Sequence, residues 1–506
     1  MERIVFVLIT TICSVLAQTQ VNIDFLGKYT PDTLSYSGSW GYVNSQGKEL
    51  AIVGGGAGTY IIDISDINNI LQLGFIQGPQ SIWREITVLN KYAYVVSEGT
   101  GVNEGLQIID LEGLELEAIS KEYFTTAHMV QKNMLFDSLI YVCGTDSTGG
   151  IHFLDVSTPE TPTQISTYSL AYFHDCHVRE NILYGCAIYE GSVHVVDISD
   201  RQNPVLLAQI PSPFPHSCWT SQDNKYLFVC NELDSIPASI FNIEDLTNVN
   251  EVANYIGDYN TLVHNVYINE DYAYLTHNKA GFRIVDIKDP SVPVETGIYD
   301  NYPGLLFGPW SAYPFFPSKK IITIDRQVGL IVLDYNNIKA WRIYGQVLDS
   351  LTQQPVFGTQ IITHNTEPIL LELDGTFAFG GVLDTNYYSF SIAPPLCSNI
   401  YLDSIAVAPG DSLWFEILVN NQVNEIKDIM NGVKIYPNPF VNNLSINSDK
   451  VIESIKILNF KGKEIFNNTK VIKQEFNIKP DLKKGVYFLI LTDIDKGLTI
   501  KKIISE

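Results

Sequence analysis

Positive charge is scarce in this chain: 32 Lys and Arg stand against 56 Asp and Glu over 506 residues, a formal net charge of −24. The deficit is uneven. From Gly432 to Glu506 there are 13 Lys and 8 acidic residues, which leaves 19 basic and 48 acidic residues for everything before. A body this acidic repels nucleic acid and anionic membrane surfaces, so neither is expected as a partner. The change of sign at one position also marks a domain boundary. Long apolar runs are scarce as well. Beyond the opening MERIVFVLITTICSVLAQTQ, no stretch approaches the roughly 20 apolar residues of a membrane helix, so no membrane span is expected in the mature chain. The opening has one Arg, an apolar run from Ile4 to Ala17 and a small residue before Gln18. This is the pattern of a secretory signal peptide over residues 1–17, and the bulky Ile12 before Cys13 argues against a lipid-modified cysteine.

Familiar catalytic signatures are missing too. No G-x-S-x-G elbow, H-E-x-x-H helix or C-x-x-C pair occurs. GGGAG at residues 54–58 is followed by a strand pattern, so no helix N-terminus stands ready to hold phosphate.

In place of helical periodicity the body carries a repeat. GTYIIDIS, GLQIIDLE, GGIHFLDV, GSVHVVDI, ASIFNIED, AGFRIVDI and VGLIVLDY put a marker at Asp63, Asp110, Asp155, Asp197, Asn242, Asp286 and Asp334. The successive spacings are 47, 45, 42, 45, 44 and 48 residues. Each unit reads as four short strands with a Pro-marked turn before the last, as in DVSTPETP and DIKDPSVP. That period, without helices, predicts an all-β fold with a seven-bladed β-propeller over residues 18–340. Asp and Ser in the turns are read as caps of backbone amides, in preference to calcium ligands. The seventh unit lacks a fourth strand, and VNIDFLGKYTPD stands alone near the N-terminus. Residues 21–32 are therefore expected to complete the last blade and close the ring without a free edge.

IIDIS, VVDIS and IVDIK give the body a resemblance to the LVIVD-repeat proteins, also described as choice-of-anchor B proteins. That likeness implies a common body with variable C-terminal anchors and no established activity. From Trp341, the order WRIYGQVLDS, QQPVFG, DGTFAFGG and NYYSFSIAPP resembles the small β-sandwich modules of the carboxypeptidase-regulatory type, which implies a spacer over residues 341–420, followed by a linker at 421–432. KIYPNPF, IKILNFKGKEIF and LKKGVYFLILTDIDKGLTIKKIISE resemble the C-terminal sorting domain of the type IX secretion system of Bacteroidota, over residues 433–506. The resemblance implies a second small β-sandwich, the secretion machinery as a partner, and delivery through the periplasm to the outer surface or the medium.

Four of the nine His fall at one place in consecutive units: His128 in TAHMVQ, His174 in FHDCHV, His216 in FPHSCW and His264 in LVHNVY. If the first strand of each unit is innermost, these imidazoles meet at the mouth of the central channel. Trp40, Trp83, Arg84 and Trp310 are expected there in the other units, making the mouth a candidate ligand site. Neutral imidazole ligates zinc, copper, iron and nickel, so His128, His174, His216 and His264 are also a candidate metal set, with a transition-metal ion as cofactor. Packing of each ring between neighbouring blades is the competing reading. Cys176 and Cys186 flank one predicted hairpin and Cys218 and Cys230 the next, each pair within a residue of facing, and disulfides are favoured over buried thiols in an exported chain. The function expected is a secreted or surface-displayed, non-enzymatic propeller that binds a protein, peptide or glycan. The alternative is a metal-dependent extracellular hydrolase or oxidoreductase, with Glu85 or Asp175 as base.

Overall fold

The computed structural model describes residues 19–505, apart from 32–34, 135–136, 301–307, 364–367, 383–386, 396–397, 421–432, 460–463, 469–472, 481 and 495–497. The expected signal peptide, Cys13 and the linker lie outside the described residues. The chain is all-β, with one 3-10 turn at Asn278–Ala280 among the described residues, and divides into two units, Met1–Lys339 and Ala340–Glu506.

Among the described residues the first unit holds seven antiparallel sheets of four strands, one of them extended by a fifth. Their first strands are Tyr36–Val43, Arg84–Leu89, Met129–Lys132, Asp175–Arg179, Pro215–Thr220, Asn265–Asn269 and Pro309–Tyr313. Each packs on the next, and Pro309–Tyr313 packs on Tyr36–Val43, so the sheets stand in a closed, propeller-like ring with these strands innermost. Burial grades outward from there. Glu49–Gly55 is buried at every residue because neighbouring sheets cover both its faces, whereas the outer strand Val205–Pro211 alternates exposed and covered positions. In most of the sheets a register shift between the third and fourth strands, as at Val195/Val196, adds twist where neighbours diverge.

The repeat markers explain how each third strand ends. Asp63, Asp110, Asp155, Asp197, Asn242 and Asp286 each accept the backbone N–H two residues on, at 2.8–3.0 Å. They are side-chain caps of the turns into the fourth strands. Asp66, Asp200, Asp245 and Asp289 cap the same turns one step later.

Closure uses the N-terminal segment. Ile23–Tyr29 pairs antiparallel with Gly329–Tyr335, from Ile23 opposite Tyr335 to Tyr29 opposite Leu330. Just before it, Asn22 takes a left-handed conformation (φ 56°), and Thr19–Val21 pairs with Val294–Asp300 of the preceding sheet. One segment thus ties two neighbouring sheets.

In the second unit, Trp341–Asp349 lies between Thr376–Gly381 and Ser412–Val419, while Gln360–Ile362, Tyr387–Ala393 and Ile400–Ala406 belong to a second sheet. Trp341, Ile343, Ile361, Phe377, Phe390 and Ile392 are part of their shared core. From Val433 on, the long strand Leu444–Asn459 organises a further six-stranded sheet with its own core, which includes Phe440, Ile455, Leu489 and Ile503.

Candidate functional site

Because first strands start at the same end of the ring, residues at their starts become neighbours around one axis. His128, His174, His216 and His264 stack in that order, with ring centroids 3.7, 4.2 and 4.1 Å apart. Trp310 continues the stack 3.9 Å from His264, and Trp83 meets Trp310 edge-on at 6.5 Å. The Arg326 guanidinium lies over both indoles, 4.5 Å from Trp310 and 5.5 Å from Trp83. At the other end His128 Nδ1 meets Glu98 Oε1 at 2.8 Å.

Two expected members are placed elsewhere. Trp40 packs on Tyr313 and under the Lys132 ammonium, one tier deeper. Trp40 stands opposite Ile52, well inside its strand, at the level of Trp219 and Tyr267. Arg84 is 1 % exposed, and its guanidinium donates to the carbonyls of Gly55 (3.2 Å) and Pro79 (2.6 Å). It is an intersheet clamp whose charge faces backbone dipoles.

Three of the imidazoles are held neutral. Burial, and after it the neighbouring rings, pushes His174 and His216 well below the ordinary histidine range, and burial takes His264 down to about 3. His264 Nδ1 donates to the Trp310 carbonyl at 3.1 Å, so its Nε2 carries a lone pair, which is buried and unpartnered. The rings of His174 and His216 reach in the same way to the backbone of His216 and His264. Beside these two rings stands Glu232, with His216 Nε2 4.0 Å from its Oε2. Glu232, Glu98 and Arg326 each follow the second strand of their sheet, at Asn231, Ser97 and Asp325. Aligning that position, as the first strands were aligned, would have brought all three to the mouth.

Glu85 and Asp175 lie one tier below the imidazoles. With Ser39, Gln131, Ser217 and Asn265 they line a small chamber on the axis. Trp310 Nε1 donates to Glu85 at 3.4 Å and Gln131 to Asp175 at 3.4 Å. Burial raises Glu85 to about 8, with the Asp175 charge adding to it, and raises Asp175 to about 7. A carboxyl raised in the fold contributes stability that is complete below its unfolded value of 4.5 and is lost as pH climbs to about 8. Glu85→Gln, which keeps the neutral shape, should therefore stabilise the protein by roughly 3 kcal/mol at pH 7 and by under about 1 kcal/mol at pH 5. Denaturant unfolding at the two pH values measures this, and equal gains at both would remove the buried-acid account.

The cysteine pairs are corrected by the register. Cys186 stands opposite Asp175 and Cys176 opposite Gly185, while Cys230 stands opposite Ser217 and Cys218 opposite Val229. Successive residues face opposite sides of a sheet, so one residue of offset turns the two thiols of each expected pair apart. All four are free and buried. The thiol of Cys176 lies instead beside that of Cys143 in the preceding sheet, and that of Cys186 beside Cys218 in the following one.

With this geometry in place, comparison with known proteins adds two matches. Residues 434–506 match the family described as a secretion system C-terminal sorting domain, and residues 261–301 match the LVIVD repeat. The chain carries an LVIVD repeat in its sheet ring and ends in a sorting domain, which directs it to the cell surface or the medium and implies contact with the secretion machinery. No described helix is long and apolar enough to cross a membrane. No curated protein matches the chain. Among solved structures, the computationally designed protein Ika8 is 10 % identical, covering 62 % of this chain and 99 % of its own, with a TM-score of 0.44. A candidate 6-phosphogluconolactonase from Bacteroides fragilis is 14 % identical, covering 59 % and 89 %, with a TM-score of 0.43.

Proposed function

We propose that the chain is a seven-bladed β-propeller followed by two small β-sandwich domains, and that its propeller is a non-enzymatic binding module for a protein, peptide or glycan. The imidazole mouth is the binding face in this reading. The supporting observation is where apolar side chains are left in water. Ile82, Val102, Leu170, Tyr189, Leu233 and Tyr259 are 40–76 % exposed, and all six lie in loops at the end of the ring where the imidazoles stand. At the opposite end the comparably exposed apolar residues among those described are Val43, Leu71 and Val205, each at a strand terminus, and none lies in a loop. Such one-sided apolar exposure marks an interaction surface. Tyr172, Tyr189 and Phe214 form an aromatic ridge on its rim, with centroids 5.2 and 6.4 Å apart.

Tyr189→Ala and Tyr259→Ala remove exposed rings without touching the core. Together they should weaken binding of the exported protein on glycan and peptide arrays by about tenfold or more, the scale of an aromatic hot spot. Unchanged binding in this variant, or no array binding by the wild type, contradicts the reading.

A metal-dependent extracellular enzyme is the second reading. It is favoured by Glu232 beside two neutral imidazoles, with Glu85 and Asp175 in the tier beneath as its bases.

A further inference from the structure

We infer that His174, His216 and Glu232 form a binding site for one divalent transition-metal ion. The inference goes beyond partner binding and stands or falls separately from it. Each of the three residues offers one ligand atom, and these atoms lie within 4.8 Å of one another; among the described residues no other group of His, Cys, Asp or Glu does so. Around a zinc-sized ion with ligands at 2.0–2.2 Å, tetrahedral donors sit about 3.4 Å apart. The 4.0 Å between His216 Nε2 and Glu232 Oε2 therefore closes by a sub-ångström shift, which the half-buried Glu232 side chain can supply.

His174 and His216 are buried and stacked on each other, while Glu232 is half-buried beside them, so the site pairs two fixed imidazoles with one adjustable carboxylate. Two imidazoles and one carboxylate select a borderline ion such as zinc over calcium or magnesium, which prefer oxygen alone. Three protein ligands leave a coordination position for water or for a group of the partner.

Zinc chloride titrated calorimetrically into the full mature protein, stripped of metal by chelator, should show one ion bound per chain. Magnesium and calcium at the same concentrations should give no heat. Glu232→Gln and His216→Ala should each weaken zinc by at least about tenfold, while Glu244→Gln, in a turn at the other end of the ring, should not. Glu232 is on the rim, so its variant keeps the fold and gives a reading even if His216→Ala does not. Wild-type protein that takes up no zinc, or a Glu232→Gln protein that binds as the wild type does, overturns the site. Because zinc is the only probe, failure here leaves array binding untouched, and failed array binding leaves this result standing.

Discussion

Removal of Thr19–Tyr29 should abolish cooperative unfolding of the sheet ring. The segment supplies the outer strand of one sheet through six paired positions and extends the sheet before it. At about 1 kcal/mol net per backbone hydrogen bond, the main pairing alone contributes on the order of 5 kcal/mol. Ile23 adds to it: 1 % exposed, it sits in the largest apolar cluster with Ile284 and Tyr335. Ile23→Ala should cost about 3 kcal/mol by itself. Lys28→Ala, on the exposed face of the same strand, should change stability by under about 0.5 kcal/mol. The deletion therefore approaches the whole stability of a domain, about 5–15 kcal/mol. Thermal unfolding followed by near-ultraviolet circular dichroism checks this. A truncated protein that still melts in one sharp transition would show that the ring closes without the segment.

Truncation at Val433 should produce the second large effect, on location and not on folding. The apolar core of the last sheet is drawn wholly from Val433 to Ile503, and that of the preceding pair of sheets from Trp341 to Val419. Cutting between them leaves the other cores intact. The lost residues include the whole match to the sorting-domain family. Fractionated cells should show the truncated protein folded and protease-resistant in the periplasm, with none outside. Normal delivery without residues 433–506 would mean that export is signalled elsewhere.

Much of this was legible from residue order, because a propeller repeats one set of physical demands. An Asp or Asn at the third-strand end caps a turn at six of the seven markers, and that local chemistry survives in sequence. The orphan strand at one terminus and the missing strand at the other foretold the pairing of Ile23–Tyr29 with Gly329–Tyr335. The imidazole stack was visible for the same reason, since equal positions in successive units become neighbours around an axis. Failures came where register decides. Cys176 and Cys186 were read to within one residue of facing, and in a pleated sheet one residue is the difference between contact and opposite faces. Their actual thiol partners lie in adjacent sheets, a relation that hairpin spacing does not encode. Trp40 was misplaced because it lies well inside its strand, opposite Ile52, and not at the strand's start. Glu232 and Glu98 went unnoticed because single acidic residues after a strand look like ordinary loop residues until the ring brings them to the mouth.

The claim that function resides at the imidazole mouth is tested most directly by hydrogen–deuterium exchange of the exported protein, with and without the glycan or peptide selected on the arrays. Protection is predicted at the starts of the inner strands, around His128, His174, His216 and His264, and in the loops carrying Tyr189, Leu233 and Tyr259. Protection confined to outer strands such as Val205–Pro211, or to residues beyond Ala340, would contradict the account.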